Sequence, residues 1–167
     1  MHDELTREDI KKMRQELDYR RLELMPELIE EVKRTRAFGD LSENFEYKAA
    51  KQAQNKNRSR IRYLENMIKS ARVIDDRSAA DEVGLFDRVE IYIPEDDETQ
   101  IIRVVTTVRT DPRKVLISRE SPFGKAVLGR KVGDVICVHV SDSYSYEAEI
   151  RAITKDSDDG SVPLMGY

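Results

Sequence analysis

Asp40 and Glu43 stand three residues apart in the run Gly39-Asp40-Leu41-Ser42-Glu43-Asn44. Two carboxylates at that spacing suit two jobs. One is helix initiation, in which an acid at the N-cap and a Glu three positions later satisfy free backbone N–H groups, with Ser42 as an alternative cap. The other is cation binding. Mg²⁺ takes oxygen ligands, keeps several waters, and is commonly held by one or two carboxylates together with substrate phosphates. Two acids on a turn leave most of an octahedral shell unfilled, so such a site needs ligands from a partner. Spacing alone leaves both readings open.

The neighbouring residues extend the choice. Phe45 lies within about one helical turn of both acids, where an aromatic ring can stack on an unpaired base or close the tip against Phe38. Further along, Lys48, Lys51, Arg58, Arg62, Lys69 and Arg72 fall in two adjacent lanes of one helix, interrupted only by Asn55 and Glu65. Such a stripe is either a solvated face paired with acids such as Glu23, Glu27, Glu30 and Glu31, or a track for a phosphate backbone leading to the acidic tip. Lys48 to Arg72 holds eight Lys/Arg and one acid, a net +7, whereas Val73 to Tyr167 holds twelve basic and nineteen acidic residues, a net −7. The whole chain, at −4, conceals this split. Separate contacts for the two halves follow, and general nucleic-acid binding by the whole chain does not.

Two long helices must position these groups. Thr6 and Asp9 mark a helix start, and Ile10, Met13, Leu17, Leu24, Leu28 and Val32 form one apolar stripe, interrupted at Arg20 and Arg21. Pro26 should kink or split that helix, because it removes an internal hydrogen bond. Gly39 supplies a left-handed stop. Tyr47, Ala50, Gln54, Asn57, Ile61, Leu64, Ile68 and Ala71 then alternate by three and four, a heptad seam that is polar near the turn and apolar away from it. With so short a turn between them the helices run antiparallel, as a hairpin about 45 Å long.

Beyond a polar connector come β-rich runs at Arg88 to Ile93, Gln100 to Val108, Lys114 to Ser118, Asp134 to Val140 and Tyr144 to Ile153, separated by turn formers. Ser121-Pro122, an N-cap followed by proline, opens a short helix to about Leu128. The expected architecture is α+β: an antiparallel coiled coil over residues 1–75, a connector over 76–83, a small α+β domain over 84–155, and a loosely ordered tail over 156–167. His2 and His139 are isolated. The single cysteine, Cys137, excludes an internal disulfide, fits a cytoplasmic setting, and is expected in the core of its strand. No apolar run reaches the roughly 20 residues that span a bilayer, and the N-terminus lacks the pattern of a signal peptide.

The segment Gly39-Asp40-Leu41-Ser42-Glu43-Asn44-Phe45-Glu46-Tyr47-Lys48-Ala49-Ala50-Lys51 closely resembles the tip of the bacterial Gre transcript cleavage factors. Ile117-Ser118 and Ser121-Pro122-Phe123-Gly124-Lys125-Ala126-Val127-Leu128-Gly129-Arg130-Lys131-Val132-Gly133-Asp134-Val135 resemble a segment of that family's C-terminal domain, and Ala71-Arg72-Val73-Ile74-Asp75 its interdomain junction. Pro26 falls where the family tolerates proline. The resemblance covers about residues 5 to 153. It implies a coiled coil followed by a domain like the FK506-binding proteins. It also implies a hairpin that enters the secondary channel of bacterial RNA polymerase, where the tip acids help hold a second Mg²⁺ and water cleaves the nascent RNA of a backtracked complex.

Carried over, Asp40 and Glu43 are the metal-assisting pair, with Mg²⁺ held jointly with polymerase and not by the isolated protein. Leu41, Ser42, Asn44 and Phe45 shape the tip. Glu120, Ser121 and Pro122 dock on the channel rim, and on the phosphate-track reading of the basic stripe Lys48, Lys51, Arg58 and Arg62 bind the RNA. The protein is expected to be a monomeric accessory factor without an active site of its own. Departures from the family are Phe45 in place of a small residue, Gly124-Lys125, the segment Ser141 to Tyr144, and a longer tail. Two other classes compete: a channel-binding regulator that does not promote cleavage, and a peptidyl-prolyl isomerase. The intact acid pair argues against the first. The absence of Trp and the scarcity of aromatic residues in the second domain argue against the other.

Overall fold

The computed structural model describes residues 3–39 and 43–166 and divides into two compact units, one holding residues 3–5 and 10–72 and the other residues 6–9 and 73–166. The helices are α1 (Arg7–Tyr19), α2 (Met25–Arg36), α3 (Phe45–Ser70) and the short α4 (Pro122–Val127), and the short strands β1 (Glu4–Leu5) and β2 (Arg72–Val73) pair with each other. Pro26 neither splits nor ends the first helical run. It sits directly after a π turn inside a continuous helical run, and the local change of pitch accommodates its missing N–H. A five-residue π turn, Arg20–Leu24, joins α1 to α2, and the Met25 N–H bonds the carbonyl of Arg20 five positions back. The interruption at Arg20-Arg21 is therefore a change of helical pitch.

The hairpin seam keeps four of the eight expected heptad residues buried, leaves Tyr47, Ile61, Ile68 and Ala71 half-buried, and adds Arg60. Ala50, Gln54, Asn57, Arg60 and Leu64 are the buried residues of α3, and Ile61 is only half-buried. Arg60 can be buried because Glu16 lies opposite. The Glu16 carboxylate accepts from Arg60 Nε at 2.8 Å and Nη2 at 3.0 Å, and from Arg20 Nε at 2.7 Å. Arg20 in turn donates to Asn57 Oδ1 at 2.9 Å, while Asn57 Nδ2 donates to the Arg20 carbonyl in the π turn at 3.2 Å. Burial alone pushes the Glu16 carboxyl up, but the bonds from Arg60 and Arg20 outweigh it and hold the group below its ordinary value.

In the second unit, β3 (Arg88–Ile93), β4 (Glu98–Val105), β5 (Leu116–Ser118), β6 (Val135–Ser141) and β7 (Tyr144–Thr154) form one sheet in the order β5-β4-β3-β7-β6, antiparallel except for the β4–β5 pair. Val89 and Ile91, Ile102 and Val104, Ile136 and Val138, and Ala148 and Ile150 point to the same buried face, at the two-residue period of a strand. Val127 of α4 joins this core. The fold class is α+β, a helical hairpin and a mixed-sheet domain. Two strand-level expectations change. The run from Gln100 leaves the sheet after Val105 and coils into a 3₁₀ turn at Thr107–Arg109. Cys137 is exposed, because Ile136 and Val138 on either side take the inward positions.

The tail, expected to be loosely ordered, is held by buried charge. Arg109 is fully buried: Nε donates to Asp9 Oδ1 at 2.8 Å, Nη2 to both oxygens of Asp158 at 2.6 Å, and Nη1 to the Val162 carbonyl. Its guanidinium lies 5.2 Å from the centre of the Phe86 ring. Asp9 also closes a reciprocal cap with Thr6, accepting from the Thr6 N–H at 2.9 Å while its own N–H reaches Thr6 Oγ1 at 3.1 Å. The segment that follows the connector is organised in the same way. Buried Asp87 accepts from the Gly84 N–H at 2.7 Å, the Asp156 N–H at 2.8 Å and Lys155 Nζ at 2.6 Å. An ion out of water costs several kcal/mol unless paired, so each of these groups dictates where its partners must lie.

Candidate functional site: the acidic hairpin tip

The tip is assembled from the ends of two helices. α2 closes with Thr35 buried, its hydroxyl donating to the Glu31 carbonyl at 2.8 Å. Gly39 follows with φ +114°, a conformation that favours glycine. On the other side, Asn44 caps α3. Its Oδ1 accepts from the Tyr47 N–H at 3.0 Å, and its Nδ2 donates to the Thr35 carbonyl at 2.6 Å. One side chain thus starts the second helix and fastens it to the end of the first.

That arrangement decides one of the questions left open by spacing. The cap of α3 is Asn44, so the role offered to Asp40 or Ser42 in a capping box is filled by another residue. Asp40, Leu41 and Ser42 lie outside the described residues. Glu43 precedes the cap, is exposed, and makes no hydrogen bond or ion pair among the described residues. Glu43 stands one residue before the cap of α3, at the end of the helix where the dipole favours negative charge. A hard oxygen donor of this kind suits Mg²⁺. Among the described residues, no three His, Cys, Asp or Glu side chains are grouped to hold a metal ion, so a cation at Glu43 would take further ligands from elsewhere.

Phe45 does not close against Phe38. Phe45 is 79% exposed and Phe38 56% exposed, and each ring instead carries a cation: Lys48 Nζ lies 5.4 Å from the Phe45 centroid and the Arg34 guanidinium 5.1 Å from that of Phe38. Both rings are attached to helix ends already committed to capping, which leaves them on the surface.

The basic lanes are exposed or half-buried along α3. Lys51, Arg58, Arg62 and Lys69 have no ion pair among the described residues, and Arg72 reaches Glu4 only at 3.8 Å. Of the acids expected to neutralise them, Glu30 is engaged with Lys33 at 3.0 Å and Glu31 with Arg34 at 2.6 Å, while Glu23 and Glu27 have no ion pair among the described residues. The bond from Arg34 holds the Glu31 carboxyl below its ordinary value. Across the hairpin, the charged pairs are instead Arg60 with Glu16 and Arg21 with Glu65.

Glu120, Ser121 and Pro122 belong to the second unit. Ser121 caps α4, accepting from the Gly124 N–H at 3.0 Å and donating to the Ser118 carbonyl at 2.7 Å, with Pro122 as the first helical residue. Glu120 is paired with Lys125 at 3.3 Å. Gly124 has a steric reason to be glycine: a Cβ there would stand 2.1 Å from the Ser118 carbonyl oxygen. The sequence reading gave Thr35, Glu16 and Arg109 no part in organising the molecule. A Thr near a helix end and a lone Arg in a β-rich run carry no periodic signal. The Glu16–Arg20 spacing of four was the one visible clue.

Two family models cover most of the chain: one described as transcription elongation factor, N-terminal, over residues 4–73, and one as transcription elongation factor, GreA/GreB, C-terminal, over residues 78–155. The chain is 44% identical to the transcription elongation factor GreA of Thermoanaerobacter pseudethanolicus over 137 residues, which is 81% of this chain and 87% of that one. It is 38% identical to GreA of Mesoplasma florum over 151 residues, 89% of this chain and 96% of the relative. Among solved structures, the GreA factor homolog 1 (Gfh1) of Thermus thermophilus aligns over 93% of this chain and 100% of its own, at 26% identity and a TM-score of 0.42. The tail from residue 156 lies beyond both family models.

Proposed function

The chain belongs to the GreA/GreB family of transcription elongation factors, and on that premise we propose that it acts on backtracked RNA polymerase, stimulating cleavage of the nascent transcript by the polymerase's own active centre. The observation that carries this reading is the uncommitted Glu43. The fold has a cap for α3 in Asn44 and leaves the adjacent carboxylate exposed and unpaired among the described residues. A carboxylate that the fold does not use is available for delivery to a partner.

In this reading Glu43 and Asp40 each offer oxygen ligands to a Mg²⁺ ion shared with polymerase. Mg²⁺ supplies charge stabilisation to the attacking and leaving oxygens of a phosphodiester. Asn44 fixes where Glu43 stands relative to the two helix ends. Lys51, Arg58 and Arg62, without an ion pair among the described residues, offset the repulsion between the tip acids and an approaching RNA, and draw its phosphates along α3. Glu120, Ser121 and Pro122 lie on a pre-shaped loop and helix start in the second unit, a rigid surface for docking on polymerase.

The test is single-turnover cleavage in a stalled, backtracked complex of the cognate polymerase. Wild type should accelerate cleavage. Asp40→Ala and Glu43→Ala should each abolish the acceleration while competing with wild type for polymerase. The isolated protein should neither cleave RNA nor bind Mg²⁺ tightly by calorimetry. Polymerase binding without acceleration by the wild type would instead make it a channel regulator that does not promote cleavage.

A further inference from the structure

We propose that Phe45 is a stacking platform for one unpaired nucleobase of the RNA that the tip addresses, an inference that rests on the proposed function. The ring is 79% exposed, the largest exposure among the bulky apolar side chains of the described residues. It occupies the first position of α3, immediately after the cap and two residues beyond Glu43. Among the described residues, nothing requires an aromatic residue there. It contributes to no core, its neighbour in sequence does the capping, and Phe38 does not cover it.

The surroundings specify the occupant. A bare aromatic patch with no charge nearby would suit an apolar peptide. Phe45 instead has Lys48 Nζ 5.4 Å from its ring centre, and Lys51, without an ion pair among the described residues, follows in the same basic lanes. A cation beside one aromatic face and a row of cations beyond it match a nucleotide, with its base on the ring and its phosphate on the ammonium groups. A base has a π-face whatever its identity, so the platform accepts all four bases and confers position, not sequence. Held there, a base fixes the sugar-phosphate that follows it at a set distance from Glu43. Phe45 is therefore a positioning residue: it touches a base and acts on the reacting phosphate only by placing it.

The experiment compares wild type, Phe45→Ala and Phe45→Tyr in backtracked complexes whose extruded RNA carries, in turn, an abasic ribose at each of its last few positions. Phe45→Ala removes an exposed side chain and leaves the Asn44 cap, and circular dichroism checks that the helices are intact. On normal RNA, Phe45→Ala should weaken cleavage at subsaturating protein by roughly tenfold, within the range of base–aromatic stacking, and Phe45→Tyr should retain it. At one position, the abasic ribose should slow wild type by a similar factor and leave Phe45→Ala no slower than it already was. That coupling between one side chain and one base is what a merely structural Phe45 would not produce. Equal losses for wild type and Phe45→Ala at every abasic position, or no loss for Phe45→Ala on normal RNA, would overturn the inference and leave the cleavage reading standing. Failure of wild type to accelerate cleavage at all would remove the reading itself.

Discussion

Asn44 offers the sharpest test of how the tip is built, because its two bonds can be removed separately. Asn44→Ala deletes the acceptor for the Tyr47 N–H at 3.0 Å and the donor to the Thr35 carbonyl at 2.6 Å. Loss of the cap costs about 1 kcal/mol, and loss of the second bond about another 1 kcal/mol. No orphan penalty is added at Thr35, whose carbonyl still accepts from the Phe38 N–H at 3.1 Å. The sum, about 2 kcal/mol, is a factor of roughly 30 in the closing equilibrium of the tip. Asn44→Asp keeps the cap, and an acid is favoured there. It loses the donor and turns a second oxygen toward the Thr35 carbonyl, so it should lose about 1 kcal/mol. Amide hydrogen exchange reads the two apart. The Tyr47 amide should exchange freely in Asn44→Ala and stay protected in Asn44→Asp. Both variants should stimulate cleavage less than wild type, Asn44→Ala the less of the two, although neither touches an acid. If the Tyr47 amide is as protected in Asn44→Ala as in wild type, the cap does not hold the first turn of α3 and the reasoning fails.

Three further outcomes follow from the same geometry. Arg109→Met should destabilise the second unit by about 3–5 kcal/mol, because Asp9 is left buried and Asp158 half-buried without their counter-charge; urea denaturation followed by tyrosine fluorescence measures it, and a loss below about 1 kcal/mol would mean water already reaches the pair. The hairpin should lose stability on acidification through Glu16. A carboxyl held below its ordinary value of 4.5 binds fewer protons folded than unfolded, so its contribution is present above about pH 4.5 and fades as pH falls through the folded value. Glu16→Gln should flatten the acid limb of a helix-monitored pH titration and lower stability at pH 7. Charge reversal at Lys51 and Arg58 should reduce crosslinking of the RNA 3′ segment and its dependence on salt; an unchanged signal would return the stripe to the status of a solvated face.

Much of this protein was legible where the causes are local. The five strands and α4 appear within a few residues of where alternation, turn formers and the Ser121-Pro122 pair placed them. The two helices follow from apolar stripes and from Gly39. The acid pair stood out because two carboxylates on a short turn between long helices are visible in one line of text. These signals depend on neighbours within about four positions along the chain, which is the range over which backbone periodicity and capping act.

The remainder was decided by partners far apart in sequence. Whether Asp40 or Ser42 capped α3 could not be read from spacing, since the choice of Asn44 depends on the Thr35 carbonyl nine positions back in the other helix. Arg60 fell neither in the heptad seam nor in the basic lanes, and Glu16, 44 positions away, makes its burial possible. The polar tail gave no sign of order, because its anchor is Arg109, 49 positions before Asp158 and 100 after Asp9. A charge can be buried only where its counter-charge arrives from elsewhere in the fold. Composition records how many charges a chain has. Only the tertiary structure decides which of them are consumed in holding the molecule together, and which, like Glu43, Lys51, Arg58 and Arg62, have no ion pair among the described residues.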